Sequence, residues 1–253
     1  MSNRFNQTPT GFVNRGDPNS FLYLFMLFIL ASQVFGGRSL PPVKQIITVL
    51  GCFIVAVTVH EFMHAFAAMK LGDDTAAGLG RLTLNPAVHF EPFGFFGMVM
   101  ISLGYSFIGW GKPVPINPAK LRGPGVFVHR RAMALVAFAG PLSNVVMAGL
   151  VAIPIHLMYD SSARSGDFYY VAWWFFWVNA LLAAFNAIPI PPLDGYRILV
   201  GILPNFWTRV LAPIERYGFL ILILLFFIGG RFGSSATGAM IDPIRGLIVR
   251  MLP

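Results

Sequence analysis

The stretch Gln45–Leu71, QIITVLGCFIVAVTVHEFMHAFAAMKL, decides the fold. It is longer than the roughly 20 apolar residues a helix needs to cross a ~30 Å hydrocarbon core. Its C-terminal half nevertheless carries His60, Glu61 and His64. The rest of the chain has the same character: 253 residues, 56% hydrophobic and only 11% charged, with a mean hydropathy of +0.70. Soluble globular domains carry more than twice that share of charge, so the sequence describes a protein of the bilayer.

Further apolar runs cover Phe21–Gly37, Ala132–Met158, Phe168–Pro189 and Tyr217–Gly230. With Phe93–Trp110, which four glycines interrupt, they predict an all-α polytopic protein of about five to six transmembrane helices. Residues 1–20 are polar and aperiodic and are expected to form a flexible leader, and residues 21–253 one membrane domain with a core at about 45–201. The net charge of +8 does not call for nucleic acid, because Lys and Arg beside spans mark loops held on the cytoplasmic side. The segment Trp110–Arg131 carries Lys112, Lys120, Arg122, Arg130 and Arg131 and no acid, which places it inside. Tyr159–Asp167, with Arg164 between Asp160 and Asp167, then lies outside. Cys52 is the sole cysteine and forms no internal disulfide.

Residues four apart share a helix face, so His60 and His64 point the same way, one turn apart. H-E-x-x-H is the spacing for two imidazoles on one metal ion, with Glu61 beside it to take a proton from the attacking water. A charge at the centre of a membrane helix costs roughly 2.5–3.5 kcal/mol on insertion scales. Three ionisable groups together therefore need a compensating role, and a cation supplies one.

A catalytic zinc site takes a third protein ligand. Apart from Glu61, Asp194 is the acid that directly follows an apolar span; the others fall in the leader, loops or tail. In NAIPIPPLDGYRIL, the prolines 189, 191 and 192 break the helix and Gly195 permits a tight turn that swings the carboxylate inward. His60 and His64 lie late in their span and Asp194 follows its own, so the two meet at one depth only if both helices run the same way. The intervening span, Ala132–Met158, then runs oppositely, giving a three-helix catalytic core near the cytoplasmic side. Phe93–Trp110 consequently re-enters or forms a hairpin with RLTLNPAVHFEP, in which Leu82–Leu84 is expected to form a short membrane-associated β segment that an extended peptide could pair with.

These residues resemble a known family, the site-2 proteases, which are intramembrane zinc metalloproteases. The likeness is carried by HEFMH (60–64), GRLTLNP and HFEPFG (80–94), GWGKPVPINP (109–118), AGPLSN (139–144) and FNAIPIPPLDG (185–195), in order over about 140 residues. It is closest to the minimal prokaryotic branch without an inserted regulatory domain. Tyr196 departs from it, standing where a second glycine often follows LDG.

The resemblance implies one zinc ion held by His60, His64 and Asp194, with Glu61 as base. It also implies Asn186 on the substrate backbone or oxyanion, and Gly140 and Asn144 lining the site. An interhelical hydrogen bond is the competing reading of Asn186, and packing that of Asn144. Hydrolysis of a peptide bond in a membrane-protein substrate, with a single span the simplest form, is the expected activity, in a prokaryotic plasma membrane. A divalent-metal transporter is the first alternative, but it needs polar groups continuing across the bilayer. An inactive membrane scaffold is the second, and it gives Glu61 no reason to be present.

Overall fold

Pro42, which has no N–H to leave unpaired, opens the first helix of the computed structural model, α1, at Val43–Lys70. The structure describes residues 40–222, apart from 106, 123–125, 160, 205, 208–209, 212–213, 216 and 219. The expected leader and the run Phe21–Gly37 lie outside the described residues, as does most of Tyr217–Gly230. The remaining helices are α2 (Pro92–Ser102), α3 (Val126–Met158), α4 (Asp167–Asn186) and α5 (Asp194–Ile202). Three stretches are long and apolar enough to cross a membrane: Val43–Lys70, His129–Met158 and Asp167–Asn186.

Side-chain contacts fix the helix directions. His64 meets Val136, and His60, one turn earlier, meets Asn144, two turns later, so α1 and α3 are antiparallel. Late α3 (Ala148, Ala152, Ile155) packs on early α4 (Tyr169, Ala172, Phe176), so α3 and α4 are antiparallel too. The alanines bring these backbones close, which is how helices associate where lipid is as apolar as the side chains. The helices α1 and α4 are therefore parallel, and Lys44 and Asp167 at their starts form an ion pair. This is the parity the sequence required.

The helix α2 is too short to span, with 11 residues covering about 16 Å. Pro92 at its first turn and the Glu91 carboxylate, which accepts from the Gly94 amide at 2.5 Å, start it. Gly104, at φ 82°, reverses the chain, and the returning backbone lies along the glycine face of α2. A Cβ on Gly94 would sit 1.8 Å from the Trp110 carbonyl oxygen, and one on Gly97 1.9 Å from that of Ile108. Phe93–Trp110 is thus a hairpin of helix and extended chain, not a crossing.

One expectation is corrected. Among the described residues there is no strand, and the chain bends at residues 82–83 before a 3₁₀ turn at Pro86–His89. A strand needs a ladder partner, and here side chains take the polar groups instead. The Thr83 carbonyl accepts from His89 Nε2 at 2.8 Å and its hydroxyl from the Asn85 amide at 3.2 Å.

Past Gly72, the buried Asp73 closes the end of α1. Its carboxylate accepts from the Asn117 amide at 2.6 Å and the Thr75 amide at 3.0 Å. Burial pushes this carboxyl up, but the hydrogen bonds from Thr75 and Asn117, helped by Lys120, outweigh it and hold it below the ordinary aspartate value. Its stabilisation is therefore complete above the unfolded value of about 3.9 and is lost as pH falls through the lower folded value. Melting followed between pH 6 and 3 should show Asp73→Asn less stable than the parent at pH 6, with the difference narrowing below about pH 4.

Candidate metal centre and cleft

The helix α1 presents His60 and His64 toward α3, and the turn after α4 brings Asp194 to the same point. His60 Nε2 and His64 Nε2 are 3.0 Å apart, and Asp194 Oδ2 is 3.1 Å from the first and 3.3 Å from the second. Both imidazoles are buried and Asp194 is half-buried. Among the described residues this is the one group of three His, Cys, Asp or Glu side chains compact enough to hold an ion.

The outer nitrogens of the rings fix what the inner ones can do. The Val136 carbonyl can only accept, so His64 Nδ1, 2.8 Å away, carries the proton. His60 Nδ1 lies 2.7 Å from Asn144 Oδ1. That amide is oriented in turn: Asn144 Nδ2 donates to Asn179 Oδ1 at 2.9 Å and to the Ala56 carbonyl at 3.4 Å, while Asn179 Nδ2 donates to the Phe175 carbonyl at 2.8 Å. Two backbone carbonyls thus set the sense of a chain running Asn179, Asn144, His60 across three helices. In the neutral rings both Nε2 atoms are left with lone pairs that converge on a carboxylate oxygen.

With both rings neutral, three electron-rich atoms face one another, an arrangement that a cation satisfies. Tetrahedral zinc with ligands at about 2.0–2.1 Å sets them about 3.3–3.4 Å apart. The observed triangle fits this, and two imidazoles with one carboxylate suit zinc chemically.

Gly140 is pressed against the triangle, since a Cβ there would lie 2.4 Å from His64 Nε2 and 2.7 Å from His60 Cε1. With Val136 and Asn144 it forms an i, i+4, i+8 stripe of α3 laid on the histidine face of α1. Asn144 is fully buried behind His60, with both ends of its amide engaged, and does not face the cleft. Asn179, which the sequence reading passed over, completes the same chain. Its signal was visible: an amide in an otherwise apolar run must find a partner in a membrane. Outer partners of metal-binding histidines typically contribute ten- to a hundredfold in metal affinity. Asn144→Ala should accordingly weaken zinc binding by about that factor in a competition titration, and Asn179→Ala by less.

The open side of the triangle faces a cavity of about 480 Å³ lined by Glu61, Asn186, Pro192, Val114 and Trp110 among others. Asn186 is half-buried there, one N–H back-bonded to the Leu182 carbonyl at 3.0 Å. Glu61 Oε2 accepts from the Val114 amide at 3.1 Å. Gly195 lets the turn close, for a Cβ there would lie 2.3 Å from the Ala187 carbonyl oxygen. Tyr196 is buried in the first turn of α5.

Three membrane-type helices around an H-E-x-x-H pair and a distal aspartate define a membrane-embedded metalloprotease class, and sequence comparisons agree. The profile of Peptidase family M50 matches residues 150–228. A Bacillus subtilis protein named "Putative zinc metalloprotease YwhC" is 35% identical over 205 residues, covering 78% of this chain and 87% of the relative. "Putative zinc metalloprotease Rip2" of Mycobacterium tuberculosis is 30% identical over 189 residues, covering 71% of this chain and 66% of the relative. "Putative zinc metalloprotease MJ0611" of Methanocaldococcus jannaschii is 34% identical over 160 residues, covering 62% and 71%. No solved structure matches. The chain belongs to peptidase family M50, the site-2 protease family, and is an integral-membrane zinc metalloprotease.

Proposed function

We propose that the protein hydrolyses a peptide bond within or next to the transmembrane segment of a membrane-protein substrate, with His60, His64 and Asp194 as zinc ligands and Glu61 as general base. The observation that supports this is the convergence of three lone-pair-bearing ligand atoms within 3.0–3.3 Å at the floor of a cleft that Glu61 also lines. Zinc, when bound, acidifies the attacking water and polarises the scissile carbonyl. Glu61 takes the proton from that water and returns it to the leaving amine.

A helical substrate has its carbonyls occupied and must unwind before attack, and unpaired peptide groups are expensive in lipid. Asn186 is placed to meet them, since only one of its two amide N–H groups is back-bonded within α4. Asn144 acts from behind His60 and holds the ring, while Gly140 leaves room for the ion. Residues 21–253 form a single membrane domain in this reading. The basic segment Trp110–Arg131 puts the cleft toward the cytoplasmic side of a prokaryotic plasma membrane.

Purified protein reconstituted with single-span substrates tests the proposal. A zinc chelator should stop cleavage, and one equivalent of zinc should restore it. Cleavage unaffected by complete zinc removal overturns the reading.

A further inference from the structure

Residues 109–118, GWGKPVPINP, form an irregular strap along one wall of the cleft that ends in the 3₁₀ turn Pro118–Lys120. The strap lies directly on α1. A Cβ on Gly111 would be 2.6 Å from Val57 Cγ1 and 3.5 Å from Glu61 Cγ. Three prolines deprive the strap of N–H groups and stiffen it, so its position depends on a few polar anchors. In its middle, the Val114 amide is the group that donates to Glu61.

Arg81 reaches the strap from the facing loop. It is buried, and among the described residues no carboxylate pairs with it. Its guanidinium instead gathers backbone carbonyls. Nη1 donates to the Val88 carbonyl at 2.5 Å, and Nη2 donates to those of Lys112 at 2.5 Å and Pro113 at 3.1 Å. The Lys112 amide adds a bond to the His89 carbonyl at 2.8 Å. Beyond Val114, the Asn117 amide is held by Asp73. Each anchor lies outside the zinc triangle, and the Glu61 contact falls between them.

Burying an arginine among neutral acceptors is costly unless its donors are satisfied, so the arrangement needs a reason. A planar fork can bind carbonyls from two loops at once, which a point charge cannot do as rigidly. We propose that Arg81 is a positioning residue for the hydrolysis: by bracing Lys112 and Pro113 against the 81–88 loop, it sets the Val114 amide on the Glu61 carboxylate, with Asp73 as the second anchor. Without the brace, the strap moves and the carboxylate loses its orienting donor. This inference rests on the proteolytic reading only where it speaks of catalysis; the brace itself is a structural statement that can be tested apart from it.

The experiment compares wild type, Arg81→Met, Arg81→Lys and Asp73→Asn by zinc content, amide exchange of the 109–118 peptide and kinetics on a single-span substrate. Arg81→Met should keep one zinc per chain and exchange faster in this peptide. Its kcat should fall tenfold to about a hundredfold with KM nearly unchanged, the loss typical of a catalytic group misplaced by about 1 Å. Arg81→Lys should recover part of the kcat and of the protection, and Asp73→Asn should loosen the same peptide from the other end.

A folded Arg81→Met with unchanged exchange and unchanged kcat overturns the proposal. So does a rise in KM alone, which would make the strap only a substrate wall. Should Arg81→Met fail to fold, Arg81→Lys decides: slower turnover together with faster exchange at 109–118 supports the brace, and wild-type values in both overturn it. If wild type itself shows no chelator-sensitive cleavage, the proteolytic reading fails, while the exchange data still settle whether Arg81 holds the strap.

Discussion

Replacing Gly140 with alanine will strip the protein of zinc while leaving most of its helical structure in place. The added Cβ would lie 2.4 Å from His64 Nε2, 2.5 Å from His64 Cε1 and 2.7 Å from His60 Cε1, all far inside van der Waals contact. A flexible side chain could yield, but these rings cannot turn cheaply. His64 is tied through Nδ1 to the Val136 carbonyl, and His60 to an Asn144 amide whose far end is fixed by Asn179. Relief therefore comes from pushing α1 and α3 apart, which typically costs 1–3 kcal/mol in an overpacked core. Moving α1 also carries both imidazoles out of register with Asp194, which α5 supplies. Zinc per chain, measured by mass spectrometry after dialysis against a mild chelator, should drop from one to near zero, and cleavage with it. Gly149→Ala is the control, because nothing lies within 4 Å of a Cβ there on the same helix. It should keep both zinc and activity. Full zinc occupancy in Gly140→Ala would mean that the ion sits elsewhere.

Why some of this was legible in the sequence and some was not follows from the range of each interaction. The i, i+4 histidine pair is local geometry, guaranteed once a helix forms. Asp194 emerged by elimination, because a membrane chain has few acids to choose from. The parallel run of α1 and α4 followed from requiring the histidines and Asp194 to meet at one depth, and Phe93–Trp110 then had to re-enter or form a hairpin rather than cross. The side of the site that Asn144 occupies was different. A helix pattern places Gly140 and Asn144 on one face but does not say which of them meets the open cleft. Asp73 and Arg81 stood as an ordinary loop acid and an unremarked loop arginine, because their partners are backbone groups of a distant segment, and carbonyls carry no sequence signature. The expected strand at Leu82–Leu84 failed for a related reason: alternation can suggest an extended chain, but only a neighbour with free peptide groups makes it a strand.

Glu61→Gln separates chemistry from metal binding and should give the second large effect, with a phenotype opposite in kind to that of Gly140→Ala. Glutamine matches glutamate in shape, and its carbonyl oxygen can still accept from the Val114 amide where Glu61 now does, at 3.1 Å. The zinc triangle, the strap and the cleft should therefore survive, and zinc content and substrate affinity should stay at wild-type values. What is lost, on the proposed mechanism, is the proton acceptor, since an amide cannot take a proton from water near neutral pH. General base catalysis contributes about 10²–10⁴-fold, so kcat should fall by at least about a hundredfold with KM little changed. A single-turnover assay in proteoliposomes, with zinc measured on the same sample, reads both quantities at once. If Glu61→Gln retained zinc and cleaved at the wild-type rate, Glu61 would not be the base, and another group on the cleft wall would have to accept the proton. If it lost zinc instead, Glu61 would be holding the ion, and the three-ligand assignment would need a fourth member.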